Sequence, residues 1–87
     1  METIIAAAIK TGPVNVALVL RPGRHKDVAE HLVKKGMKEP AEESKGFVTS
    51  EGRFVDRVEG KQIAYEAQQI ITREGLERDE LHSEDLW

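Results

Sequence analysis

Apolar residues in the first forty positions change from an extended pattern to a helical one. Segments 2–10 and 14–20 are rich in apolar and β-branched residues, and the Thr-Gly-Pro sequence at 11–13 separates them. Two such runs around a short turn predict an antiparallel hairpin. Over residues 25–35 the apolar positions instead recur at helical spacing, and Gly36 supplies a stop signal. The predicted order is therefore strand, strand, helix.

The second half of the chain repeats this change after a polar loop at 38–45. Segments 47–49 and 53–55 contain the two phenylalanines and lie on either side of Gly52. Because glycine readily adopts a positive φ in a tight turn, the two segments predict a compact hairpin.

The helix that follows this hairpin has the clearest signals in the chain. Asp56 is a typical N-cap residue, and Glu59 lies at the capping-box spacing. Apolar residues recur at helical spacing within 58–73, and Gly75 is the predicted end. We predict a single α+β domain over residues 1–87, with an antiparallel sheet of about four strands and two helices packed on one face.

Composition limits how such a small domain can be stabilised. Only 39% of the 87 residues are hydrophobic and 5% are aromatic, so the core is small. The chain has no cysteine, which excludes disulfides and cysteine-based zinc sites. Small domains with thin cores often depend on association with another subunit. We therefore predict a homo-oligomer.

Charge and hydropathy restrict the partners of the protein. Residues 41–87 carry six Lys and Arg against twelve Asp and Glu, and six of these acids lie within 74–85. Such a region repels phosphate backbones, so DNA and RNA polymers are not expected partners. The apolar run at 4–9 is too short for the about 20 residues of a membrane span and lacks the basic start of an export signal. The expected location is the cytosol, away from membranes.

The turn before the first helix is a candidate anion site. Arg24 and His25 follow Pro22 and Gly23 at the predicted helix start. A helix N-terminus presents free N–H groups and a partial positive charge, and an arginine adds a fork of donors. These residues predict a phosphate cradle, with an ordinary surface turn as the alternative.

A second candidate is the pair Arg53 and Arg57. The two arginines lie at a strand end and a helix start, so both could reach into one cleft and bind phosphate or carboxylate. The alternative is a surface ion pair of Arg57 with Asp56 or Glu59, which contributes roughly 0.5 kcal/mol.

The two phenylalanines allow two interpretations. Phe47 and Phe54 most simply form the core of the hairpin. Either ring could instead stack on the base of a nucleotide ligand, since aromatic side chains favour stacked contacts.

No set of residues predicts a catalytic centre or a metal site. The three histidines lack a recognised metal-binding spacing; they are His25, His31 and His82. The serines have no nucleophile-elbow motif around them, and no acid–base pair has a supporting partner. The adjacent Glu84 and Asp85 could bind magnesium, although a solvated or ion-paired tail is the simpler interpretation. We predict a non-enzymatic protein without a cofactor.

The last residues contradict the idea of a loose acidic tail. Leu86 and Trp87 are apolar and follow the acidic segment 74–85. Burial of a tryptophan contributes about 2 kcal/mol, which an exposed end would lose. We expect Leu86 and Trp87 to dock either on the sheet of their own chain or on a neighbouring subunit.

Four short motifs give this chain a family resemblance. They are Gly-Arg-His at 23–25, Gly-Phe-Val-Thr at 46–49, Gly-Arg-Phe-Val-Asp-Arg at 52–57 and Leu-His-Ser-Glu-Asp-Leu-Trp at 81–87. Over residues 20–87 the chain resembles a family of very small phage and prophage proteins. More distantly it is similar to Thoeris anti-defence proteins, which sequester nucleotide second messengers of bacterial immunity.

The resemblance implies a function and a set of site residues. It implies a non-catalytic protein of the host cytoplasm that sequesters a cyclic nucleotide or an ADP-ribose derivative between subunits. The implied ligand-binding residues are Arg24, His25, Phe47, Arg53, Phe54 and Arg57. Gly60 departs from the usual alanine of the pattern, which weakens the helix by about 1 kcal/mol. The alternative function is a protein–protein inhibitor or adaptor that blocks a host defence protein through its acidic C-terminal region.

Overall fold

A computed structural model describes all residues from 1 to 87 as a four-stranded sheet with three α-helices. The elements in chain order are β1 (Ile4–Lys10), β2 (Val16–Leu20), α1 (His25–Lys34), β3 (Lys45–Thr49), β4 (Phe54–Asp56), α2 (Arg57–Glu66) and α3 (Arg73–Glu77). Single 3₁₀ turns occupy Glu42–Ser44 and Ser83–Asp85. No helix combines the length and the apolar character that crossing a membrane requires. The predicted α+β fold is confirmed.

The sheet is antiparallel throughout and has the order β2-β1-β3-β4. β1 lies in the interior, where Ala7 pairs with Val19 on one side and with Phe47 on the other. Directly paired residues point to the same face of a sheet, so these three side chains share a face. Both predicted hairpins form.

The face that carries Phe47 is covered by the two longer helices. α1 packs Val28, Ala29 and Leu32 around Ile9 of β1. The second cluster joins α2 to β1, β3, β4 and the end of the chain; its members are Ile4, Phe47, Val55, Ile63, Ala64, Leu81 and Leu86. Since Ile9 lies two residues after Ala7, both clusters are on the same side of the sheet, as predicted.

The opposite face of the sheet is apolar and open in the single chain. Ala6 and Ala8 pair with Leu20 and Leu18, and these leucines are 62% and 48% exposed. Phe54 belongs to this face because its neighbour Val55 points into the core. An open apolar face is compatible with association, and the homo-oligomer stays a prediction.

Local signals place the helix starts and turns as predicted. Gly36 after α1 and Gly52 in the β3–β4 turn adopt positive φ angles of 91° and 79°. The side chain of Asp56 accepts the main-chain N–H of Glu59 at 2.8 Å, which is an N-cap hydrogen bond.

The predicted extent of the second helix was wrong. α2 ends at Glu66, and Gln68 follows with a positive φ of 57°. The side-chain amide of Gln69 then donates to the carbonyl of Ile4 and accepts its N–H, at 2.9 and 2.8 Å. The main chain ends the helix in a Schellman turn, in which the N–H groups of Gln68 and Gln69 bond to the carbonyls of Tyr65 and Ala64. Gly75 does not end that helix but lies buried within α3.

Candidate functional site

A cleft of about 710 Å³ opens between α1, the segment before β3, the start of α2 and the last turn of the chain. We call it the α1–α2 cleft. Its lining residues are Arg24, His25, Lys26, Ala29, Glu30, Val33, Lys34, Glu39, Glu42, Lys45, Arg57, His82, Ser83 and Glu84. Five of these are Lys or Arg and four are Glu, so the cleft is polar and nearly balanced in formal charge. It brings together Arg24, His25 and Arg57 from the predicted site.

The start of α1 is occupied by groups of the chain itself. The carboxylate of Asp27 accepts the N–H of Arg24 at 2.8 Å, and Ser83 Oγ accepts the N–H of His25 at 3.3 Å. The Arg24 guanidinium donates to the main-chain oxygen of Trp87 at 2.6 and 3.0 Å. Arg24 still lines the cleft. The main-chain N–H groups at the helix start are already bonded, so they do not form the open phosphate cradle that the sequence predicted.

His25 is buried at the edge of the cleft, and its ring makes contacts that hold the fold together. Its Nε2 donates to the carbonyl of Gly46 at 2.7 Å, and its ring meets Phe47 edge-on with centroids 4.9 Å apart. Burial lowers the pKa of His25, and the positive charges of Arg57 and Lys45 act in the same direction. The Gly46 carbonyl and Glu84 oppose this shift without reversing it. The neutral imidazole links α1 to β3.

We expect this histidine to make the fold less stable in mild acid. The unfolded chain takes up a proton at His25 as the pH falls through about 6.5, whereas the folded protein does so only at lower pH. The free energy of unfolding should therefore fall between pH 7 and pH 5. Urea denaturation should show a smaller fall in His25→Gln, while the exposed His31→Gln should behave like the parent protein. Equal pH profiles for all three proteins would contradict the assignment.

The structure separates the two arginines that the sequence placed in one cleft. Arg53 binds both carboxylate oxygens of Glu2, at 2.8 and 2.9 Å, and Glu59 at 2.7 Å. Arg53 does not line the α1–α2 cleft. Arg57 does, and its partner is Glu42 at 2.6 Å rather than either predicted carboxylate. The strand-to-helix change between positions 53 and 57 sends the side chains in different directions.

Neither phenylalanine lies in the cleft. Phe47 is completely buried in the core. Phe54 is on the open face of the sheet, where Lys10 Nζ lies 5.8 Å from its ring centroid. Neither ring can therefore stack on a base bound in this cleft, and stacking on the partly buried Phe54 elsewhere stays a prediction.

The last seven residues dock on their own chain. Leu81 and Leu86 enter the core, and Trp87 Nε1 donates to the carbonyl of Gly23 at 2.8 Å. Asp85 is 1% exposed and accepts both Nη1 and Nη2 of Arg78 at 2.8 Å. Of the two predicted modes of docking, the structure shows the intrachain one.

A known protein family matches almost the whole chain. The family model described as phage T4 y16D protein matches residues 3–87. The chain belongs to this phage protein family. No curated protein and no solved structure matches it. The predicted membership in a family of small phage proteins is confirmed. The more distant likeness to Thoeris anti-defence proteins stays a hypothesis.

Two residues that line the cleft, Glu42 and Lys45, were not predicted from the sequence. Glu42 and Lys45 lie in what was predicted to be a plain polar loop, 38–45. Their three-residue spacing suits a local ion pair, and Lys45 Nζ does donate to Glu42 at 3.0 Å. The contact of Glu42 with Arg57 spans 15 residues and had no local signal.

Proposed function

We propose that this phage protein binds a small phosphate-bearing ligand in the α1–α2 cleft and does not transform it. The observation that carries the proposal is the convergence of Arg57 and Lys45 on a single carboxylate, that of Glu42. A site where two cations meet one anion has the donor arrangement that phosphate oxygens require. Lys26 and Lys34 add positive charge along α1.

The groups near this point support binding rather than catalysis. His25 is buried and its Nε2–H is committed to the Gly46 carbonyl, so it is poorly placed to take a proton from a substrate. Ser83 is also buried, and its Oγ accepts the His25 N–H without a base beside it.

The phage family membership suggests which ligands to test. Phosphate-bearing signals of bacterial immunity, such as a cyclic nucleotide or an ADP-ribose derivative, suit the size of a cleft of about 710 Å³. In this proposal the protein acts in the host cytoplasm as an anti-defence sponge. A homo-oligomer would carry several such clefts, which raises the binding capacity of each particle.

The test is a thermal-shift and calorimetry series with ADP-ribose and cyclic dinucleotides. A ligand at 100 times its Kd should stabilise the fold by about 2.7 kcal/mol, which for a domain of this size raises Tm by about 10 °C or more. Arg57→Gln and Lys45→Gln should weaken binding. The control is Arg53→Gln, which removes an equal charge outside the cleft and should bind as well as the parent protein.

Two outcomes would oppose the proposal. Unchanged Tm values with every nucleotide at millimolar concentration would overturn it. Full binding by Arg57→Gln and Lys45→Gln would place the ligand elsewhere.

The acidic C-terminal region supports a second candidate function, a protein–protein inhibitor or adaptor. α3 and the residues after it present exposed carboxylates; they are Glu74, Glu77, Asp79 and Glu80. Ile71 and Leu76 lie among them and are more than half exposed. Apolar residues with a polar rim are typical of protein-binding surfaces. This function predicts that nucleotides leave Tm unchanged, which is the result that overturns the first proposal.

A further inference from the structure

The carboxylate of Glu42 lies between two cations that line the cleft, Arg57 and Lys45. Its Oε2 accepts from Arg57 Nη1 at 2.6 Å, and its Oε1 accepts from Lys45 Nζ at 3.0 Å. One carboxylate thus bridges two cations from different elements, one at the start of β3 and one at the start of α2. Two oxygens of a phosphate group could make the same pair of contacts.

The three side chains of this bridge differ strongly in exposure. The side chains of Arg57 and Lys45 are 14% and 16% exposed, so the fold holds both cations in place. The side chain of Glu42 is 70% exposed and extends from a three-residue 3₁₀ turn. Of the three side chains, Glu42 is therefore the one that can move away while the other two keep their positions.

The bridge also leaves Arg57 incompletely paired. Its Nε is buried and has no hydrogen-bond partner. A buried donor without a partner is unfavourable, and the single Glu42 carboxylate engages only Nη1 of this guanidinium. A phosphate has more acceptor oxygens than a carboxylate and can bond several donors of one arginine.

Protonation does not release Glu42 at neutral pH. Hydrogen bonds from Arg57 and Lys45 lower the pKa of Glu42 to about 2, so the carboxylate stays charged. A competing phosphate therefore has to displace a charged carboxylate.

We propose that Glu42 is a displaceable internal anion that occupies the phosphate subsite of the α1–α2 cleft and weakens ligand binding until a phosphate group replaces it. This inference rests on the proposed function, because it assigns the subsite and the competitor within the same cleft. Arg57 and Lys45 are the phosphate-binding residues of that subsite.

The experiment is calorimetry with inorganic pyrophosphate on four proteins at pH 7.5 and about 0.15 M salt, where exposed charges more than about 8 Å apart are largely screened. Glu42→Gln keeps the size of the side chain and removes the competing charge, so its affinity should rise about three- to tenfold over the parent protein. Glu39→Gln is the matched control: it removes the same charge from the same loop and cleft, and we expect a change of less than about twofold. In Glu42→Gln/Arg57→Gln the gain should disappear. Melting curves of each variant establish that it is folded.

The outcomes separate this inference from the proposed function. If the parent protein binds pyrophosphate and Glu42→Gln binds no better, Glu42 is not a competitor, while the function stands. An equal gain in Glu39→Gln, or a gain that survives loss of Arg57, indicates a general charge effect and also overturns the inference. If none of the folded proteins binds pyrophosphate, this inference fails, and the nucleotide series alone then decides the proposed function.

Discussion

Asp85→Ala should lower the free energy of unfolding by about 3–5 kcal/mol, the usual loss when one partner of a buried ion pair is removed. Asp85 is 1% exposed and receives four hydrogen bonds from Arg78, Thr72 and the N–H of His82, at 2.6 to 2.9 Å. Domains of this size are stable by about 4–13 kcal/mol, so the loss is a large share of the total. The carboxylate joins α3 to the last turn of the chain.

Urea denaturation at pH 7 measures this loss, and Asp79→Ala is the control. Asp79 is a nearby exposed acid, and its replacement should change stability by less than about 0.5 kcal/mol. Burial alone would raise the pKa of Asp85, but the hydrogen bonds from Arg78, Thr72 and His82 outweigh it and hold the pKa below the ordinary value of 3.8. The stabilisation is therefore complete above about pH 4 and is lost as the pH falls through the folded pKa. Similar effects of the two replacements would show that the buried pair contributes little.

The elements with local causes could be predicted from the sequence. Gly36 and Gly52 adopt positive φ angles, and Asp56 caps α2, because each depends on residues only a few positions away. The end of α2 could not be predicted in this way. It is a Schellman turn in which the N–H groups of Gln68 and Gln69 bond to Tyr65 and Ala64, and Gln68 takes the positive φ that glycine usually supplies. No residue there signals a helix end.

Gly60, which stands where the family pattern usually has alanine, has a packing role that the sequence does not show. A Cβ at this position would lie 3.0 Å from Phe47 Cδ2, closer than ordinary packing allows. The glycine therefore lets α2 lie close to the Phe47 ring of β3.

The sequence predicted three of the residues that line the cleft. Arg24, His25 and Arg57 do line one cleft, because residues at helix starts on one side of a sheet come close together. Arg53 lies elsewhere because it pairs with Glu2, which is 51 residues earlier, and its spacing from Arg57 does not reveal that contact. The role of Glu42 depends on its contact with Arg57, which no local sequence pattern predicts.

The apolar end of the chain was the better guide to its C-terminal region. Six acids within 74–85 alone would favour a loose tail, but Leu86 and Trp87 predicted that it docks. One of them, Asp85, is instead neutralised by Arg78 inside the fold, and its neighbours Leu81 and Leu86 join the core. The apolar residues were the better guide, since their burial contributes more than exposed charges cost.

Phe47→Ala should lower the free energy of unfolding by about 3–5 kcal/mol, because the lost ring leaves a cavity that its neighbours cannot fill. Phe47 is completely buried and is the largest side chain of the core. Its ring contacts His25 of α1, and Gly60 of α2 lies directly above it, so it joins both helices to β3. For a domain of this size the Tm should fall by more than about 12 °C.

Phe54→Ala is the matched control for this replacement, since it removes the same ring from the same hairpin. Phe54 is only partly buried and lies on the open face of the sheet, so we expect a loss of about 1 kcal/mol. Thermal and urea denaturation of both variants measure the difference. Equal losses would mean that the open face is covered in solution, and the larger loss for Phe54→Ala would reverse the assignment of the two sheet faces.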